Sequence, residues 1–208
     1  MILHIGAVTP LRLACASAPA SEHDVVTQAA AAPDGSASYF VYLLATPSDS
    51  SADPQHGLLG MQVGIDYDVD TPGNRGLQVG SWRSCAEMEF QGSGWPAPKT
   101  GNTITWGVGS CQNTPLVTAG YFYVTAYDAS TMSLVGFPST GVVKAADCNG
   151  AEFVLNQVLS TSEVGWISLG GGHIGPDTDG CNPALEPCDR VTASTPTTWG
   201  RLKQQFMH

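Results

Sequence analysis

Between residues 57 and 68 the chain reads GLLGMQVGIDYD, with Leu59, Met61, Val63, Ile65 and Tyr67 on alternate positions and Gly60, Gln62, Gly64 and Asp66 between them. A period of two predicts a β-strand with one buried face. YFVYLLAT (39–46) and VTAGYFYVTAYD (117–128) are aromatic and β-branched and predict two more strands. GLQVGSW (76–82), SCAEMEF (84–90), NTITWGV (102–108), SLVGF (133–137), GVVKAADC (141–148), AEFVLN (151–156) and VGWISLGGG (164–172) continue the pattern. Loops rich in Gly, Pro, Asp and Ser separate them at roughly 8–12-residue intervals, the spacing of a sandwich or barrel.

The two ends differ from this body. In ILHIGAVT both alternate sets are mostly apolar, which predicts a short strand over Ile2–Val8 buried on both faces. Residues 10–37 read as a long irregular connector. TTWGRLKQQFMH at the other end predicts a short helix capped by Thr197 or Thr198 and carrying Trp199, Leu202 and Phe206. The expected fold is therefore all-β: an antiparallel, jelly-roll or immunoglobulin-like β-sandwich of about nine or ten strands. Its organisation is an N-terminal strand and connector over 1–38, a sandwich over 39–194 and a helical segment over 195–208.

Composition narrows the setting. Charged residues make up only 12% and the formal net charge is −10, so clustered Lys and Arg for nucleic-acid phosphates are lacking. No apolar run reaches the length of a membrane span. The opening MILHIGAVTPLRLAC has no basic n-region, His4 and Gly6 interrupt its apolar stretch, and Arg12 spoils a lipobox at LAC. The expectation is that an export signal lies upstream or has been removed. Cys15, Cys85, Cys111, Cys148, Cys181 and Cys188 form an even set in a low-charge, Gly-rich chain, which points to disulfides and an oxidising compartment outside the cell. Cys85 with Cys111 is the expected local pair. Cys181 and Cys188 close a small loop or one of them reaches Cys148, and Cys15 pins the connector to the body.

The order YFVYLLA, GLLGMQVGIDYD, GSWRSCAEMEF…WP, GNTITW…CQ, AGYFYVTAYD and TTWGRLK resembles a set of uncharacterised secreted bacterial proteins of environmental lineages. That resemblance implies export and transfers no activity. The strand type G-x-Q-x-x-I-x-Y-D is also similar to cohesin-like and carbohydrate-binding jelly-roll sandwiches, a likeness of architecture.

Catalytic motifs are absent: no G-x-S-x-G, P-loop, H-E-x-x-H or Rossmann glycine pattern occurs. Glu87 and Glu89 sit two apart on one strand, a spacing that favours solvent-facing carboxylates over a glycosidase pair. No enzyme is expected. No cofactor is expected: Asp66, Asp68, Asp70, Asp177 and Asp179 suit turns, where Asp bonds nearby backbone amides, and calcium is the one candidate ion for them because alternating carboxylates in acidic loops offer hard oxygen ligands. Trp95, before Pro96 in a loop, is the candidate ring for stacking a glycan, whereas Trp82, Trp106 and Trp166 fall in strands and suit the core. The detached apolar strand, with Ile2, Leu3, Ile5 and Val8 as its contact residues, suits pairing either in its own subunit or with a neighbour's sheet edge. The expected role is a self-assembling, non-catalytic extracellular structural subunit, such as a surface or filament protein. The competing role is a secreted glycan- or calcium-binding module.

Overall fold

The structure, a computed structural model, describes residues 1–21, 24–46, 57–69, 71–72, 75–155 and 166–169. Among the described residues the chain forms twelve strands: β1 (Ile2–Gly6), β2 (Gln28–Ala29), β3 (Ser38–Ala45), β4 (Gly60–Tyr67), β5 (Leu77–Ser84), β6 (Met88–Gln91), β7 (Thr100–Thr105), β8 (Val117–Ala126), β9 (Ser130–Val135), β10 (Lys144–Ala146), β11 (Glu152–Val154) and β12 (Trp166–Leu169). They form an all-β, two-sheet sandwich. The first sheet runs β1-β3-β8-β5. In the second, β4 pairs β7 along one side, with β6 beyond, and pairs β9 and β10 along the other. Each of these ladders is antiparallel, and β2 pairs β12 in parallel. The helix expected over 195–208 lies outside the described residues.

The core lies between the inner faces. Leu3, Ile5, Val41, Leu43, Phe122 and Val124 from the first sheet meet Met61, Val63, Ile65, Ile104, Met132, Ile167 and Leu169 from the second. Removing each of these side chains from water stabilises the fold by roughly 1.5–3 kcal/mol before entropy is counted. Where β8 passes under the Trp82 indole, a Cβ at position 120 would collide with the ring. Gly120 is therefore required by close approach. Two irregularities of register, at Leu43/Leu44 in β3 and at Val79/Ser81 in β5, flank the long β8. The one in β5 disturbs an edge strand, which discourages pairing with further strands.

The first sheet has a second apolar layer on its outer face. Ile2, Phe40, Tyr42, Leu44, Leu116 and Tyr121 pack there with Ala14, against Ala18, Val25 and Cys85. The connector supplies the cover. Residues 11–17 form two 3-10 turns, Leu11–Leu13 and Cys15–Ser17, that lie over the sheet. The stretch that reads as irregular from its Ala, Ser and Pro content thus acts as a lid fixed by covalent and apolar contacts.

Two disulfides occur among the described residues, Cys15–Cys85 and Cys111–Cys148. They place the protein in an oxidising environment. The expected pair Cys85–Cys111 does not form. Cys85 continues β5 alongside Ala119 of the first sheet, whereas Gln112 pairs Leu58 ahead of β4 in the second. The two cysteines therefore belong to different sheets. Cys85 takes Cys15 and so anchors the connector, while Cys111 and Cys148 tie together the loops after β7 and β10. Cys181 and Cys188 lie outside the described residues.

Candidate functional site

The edge formed by β1 combines the sequence's assembly candidates with a buried ionisable group. β1 pairs β3 from Ile2↔Leu44 through Gly6↔Phe40. Alternation sends Leu3 and Ile5 into the inter-sheet core and Ile2 into the outer layer. Val8 does not share this role. The strand ends at Gly6, and Val8 stands 47% exposed beyond it.

His4 follows Ile2 onto the outer face. Its ring lies 5.7 Å from that of Tyr42, and its Nδ1 accepts the Val26 N–H at 2.8 Å. The Ile5 N–H donates to the Val26 carbonyl at 2.8 Å, so the far margin of β1 is closed by the connector. With only 7% of the residue exposed, burial pushes the imidazole down to about 4, against a smaller upward pull from the Asp24 carboxylate. His4 is therefore neutral at neutral pH, with the proton on Nε2 and the lone pair of Nδ1 committed to Val26.

The opposite lip of the sandwich, between β5 and β6, overturns the solvent-facing reading of Glu89. In β6 the usual polarity is inverted: Met88 and Phe90 are 50% and 64% exposed, while Glu89 turns inward. The Glu89 carboxylate accepts the Trp82 indole N–H at 2.7 Å, the Asn102 amide at 2.8 Å and the Gln91 amide at 2.9 Å. It thereby joins β5 of one sheet to β7 of the other. The available signal was Trp82 itself, since an indole N–H placed in a core strand needs an acceptor. Glu87 is separate from this network. It is exposed and accepts the Gly107 N–H at 2.9 Å, and the Ser110 hydroxyl and then that N–H hold its carboxyl below the ordinary range.

Trp95 is not an exposed ring. It is 8% exposed, packed edge-on to Trp82 with centroids 5.4 Å apart and against Phe122 at 5.5 Å. The 92–99 loop folds back on the body through Gly92 N–H to Gly101 carbonyl, Trp95 N–H to Gly92 carbonyl, and Tyr67 hydroxyl to Pro96 carbonyl. A loop rich in Gly and Pro here carries a core residue. Trp82 and Trp106 are buried as the strand pattern predicts.

Among the described residues no second layer covers the outer face of the second sheet. Register places Phe90, Thr103, Gln62 and Lys144 in one row and Met88, Thr105, Gly60 and Ala146 in the next. Because Gly60 has no side chain and Ala146 only a methyl, the floor sinks into a shallow groove of about 220 Å³. The Lys144–Glu152 ion pair closes one end at 2.9 Å, and Gln62 donates to the Thr103 hydroxyl at 3.2 Å.

Of the acidic candidates, Asp66 accepts its neighbour's N–H, from Tyr67, at 3.0 Å, and the Asp68 carbonyl accepts the Leu77 N–H. Asp70, Asp177 and Asp179 lie outside the described residues. Among the described residues no three His, Cys, Asp or Glu side chains converge on one point that would hold a metal ion. No helix of the described residues is long and apolar enough to cross a membrane.

No protein-family model and no curated protein sequence matches the chain. Two solved structures are similar to it. One is a cohesin module from a family 33 glycoside hydrolase of Clostridium perfringens, at 8% identity over 70% of this chain and 90% of that one, with a TM-score of 0.44. The other belongs to a type I cohesin–dockerin complex, Coh-OlpC-Doc435, of Clostridium thermocellum, at 9% identity over 69% and 88%, with a TM-score of 0.41. At such scores the likeness fixes neither strand order nor function.

Proposed function

We propose that this chain is a non-catalytic, extracellular structural subunit that assembles with copies of itself by exchanging β1. The carrying observation is the place of β1: an edge strand of five residues, joined to the core through one ladder and separated from its partner β3 by residues 7–37. The same ladder can be completed by β1 of a second copy, which is strand addition to a sheet edge. Exposed apolar residues stand beside it, with Leu11 63%, Leu13 48% and Val8 47% exposed. The side chains of His4 and Glu89 are bonded into the fold instead of being presented to a substrate.

The Cys15–Cys85 bond sets the range of the exchange. Residues 7–14 are the leash between β1 and the anchored cysteine, and fully extended they reach about 26–29 Å. A head-to-tail contact over that distance gives a filament if its rotation does not close, and a ring if it does. Deletion of residues 1–10 is expected to abolish assembly as read by light scattering and electron microscopy. Unchanged assembly by the deletion variant would refute the exchange.

A glycan-binding module is the second reading. It draws on the groove of the second sheet, where amide, hydroxyl and charged groups of Gln62, Thr103 and Lys144 stand in line with the exposed Phe90 ring. Binding on a glycan array that is lost in Phe90→Ala supports it, and calorimetry with calcium tests the acidic loops in parallel.

A further inference from the structure

We propose that His4 is a proton-operated latch on β1, holding the strand to the connector when neutral and releasing it for exchange with a second copy when protonated. This regulation rests on the exchange reading above. β1 is held along one margin by the β3 ladder and along the other by two bonds at Val26, one of them accepted by the imidazole Nδ1. A proton on Nδ1 sets a donor against the Val26 N–H donor, so that bond is lost and a charge is left buried beside the Tyr42 ring.

The titratable and charged groups facing His4 among the described residues are few. Tyr42 of β3 presents a ring whose hydroxyl burial keeps neutral, and Tyr121 of β8 stands behind it. Asp24 of the connector is the one opposite charge, and its pull is smaller than the effect of burial. Opening β1 frees the imidazole to titrate near its ordinary 6.5 instead of about 4. Lowering the pH from 7.5 to 5 then raises the ratio of open to closed β1 about 30-fold.

Hydrogen exchange of the full chain at pH 7.5 and pH 5, corrected for intrinsic rates, tests the latch against His4→Gln, whose side-chain carbonyl accepts the Val26 N–H without titrating. The wild-type amides of β1 are expected to lose protection about 30-fold while β8 keeps its own, and His4→Gln is expected to change less than about threefold. Equal loss in the variant, or loss in β1 and β8 together, overturns the latch. If the variant does not fold, the wild-type imidazole is followed by NMR; no titration above pH 5 supports the latch, and titration near 6.5 overturns it. Mixing isotopically light and heavy copies separates the two claims. Acid opening of β1 through His4 without mixed assemblies keeps the latch and removes the exchange reading, whereas mixing that is equal at both pH values in both proteins keeps exchange and removes the latch.

Discussion

The outer faces of the two sheets contrast sharply. That of the first sheet carries Phe40, Tyr42 and Tyr121 under a lid of connector, and that of the second carries half-buried Gln62, Thr103 and Lys144 with no second apolar layer over them among the described residues. The inner faces are alike. The difference is already written in β3 and β4, since YFVYLL is apolar on both sides and GMQVGIDY on one. A strand apolar on both faces requires a second cover, and here the cover is a segment with almost no regular structure. Its fixity comes from the Cys15–Cys85 bond, the burial of Ala14, the two bonds at Val26 and the short β2–β12 ladder, with single-turn hydrogen bonds at Leu13, Ala14 and Ser17 inside the segment.

The largest expected effect breaks the covered face. Phe40→Ala is expected to cost about 3–5 kcal/mol in denaturant unfolding, while Gln62→Ala on the outer face of the second sheet costs under about 0.5 kcal/mol. Similar costs on both faces would contradict the presence of a second core layer. Removing the anchor comes next: Cys15→Ser with Cys85→Ser loses about 4 kcal/mol if loop entropy dominates. Limited proteolysis is then expected to cut the connector ahead of the sandwich.

A third prediction concerns pH. The unfolded chain binds a proton at His4 near 6.5 and the folded chain near 4, so the unfolded state holds more protons between these values. Stability therefore falls as the pH drops through that window, by up to about 3 kcal/mol below pH 4, and is regained above 6.5. Comparing urea midpoints of wild type and His4→Gln across pH 4–7 isolates this contribution. Smallest is Glu89→Ala at the lip, expected to cost about 2 kcal/mol because the Trp82 N–H and the Asn102 amide lose their acceptor. Glu89→Gln keeps one amide oxygen for the position that both donors share and is expected to recover most of the loss.

Much of the fold was legible in the sequence because period-two patterning survives wherever a strand has one wet face. GMQVGIDY and the long VTAGYFYVTA are examples. The connector was not, since its packing depends on partners far along the chain: Ala14 and Val25 gain apolar neighbours only when β3 and β8 are in place. The disulfide pairing failed for the same reason, as sequence proximity does not reveal that Cys85 and Cys111 leave the body from different sheets. Trp95 shows the limit of loop chemistry. Its loop is rich in Gly and Pro as a surface excursion would be, yet the ring returns to cover Phe122. For the candidate site, the alternation in ILHIG placed the strand, but neither the Nδ1 bond of His4 nor the inward turn of Glu89 is encoded in local spacing.

The most direct test of β1 exchange mixes two copies of the chain, one carrying Leu3→Cys and the other Leu43→Cys, residues that face each other in the β1–β3 ladder. Neither copy alone offers the facing thiol. Co-refolding under oxidising conditions is predicted to give a disulfide-linked heterodimer whose crosslinked peptide joins residues 3 and 43 of different chains. Recovery of the two copies as unlinked monomers at every concentration would contradict the account.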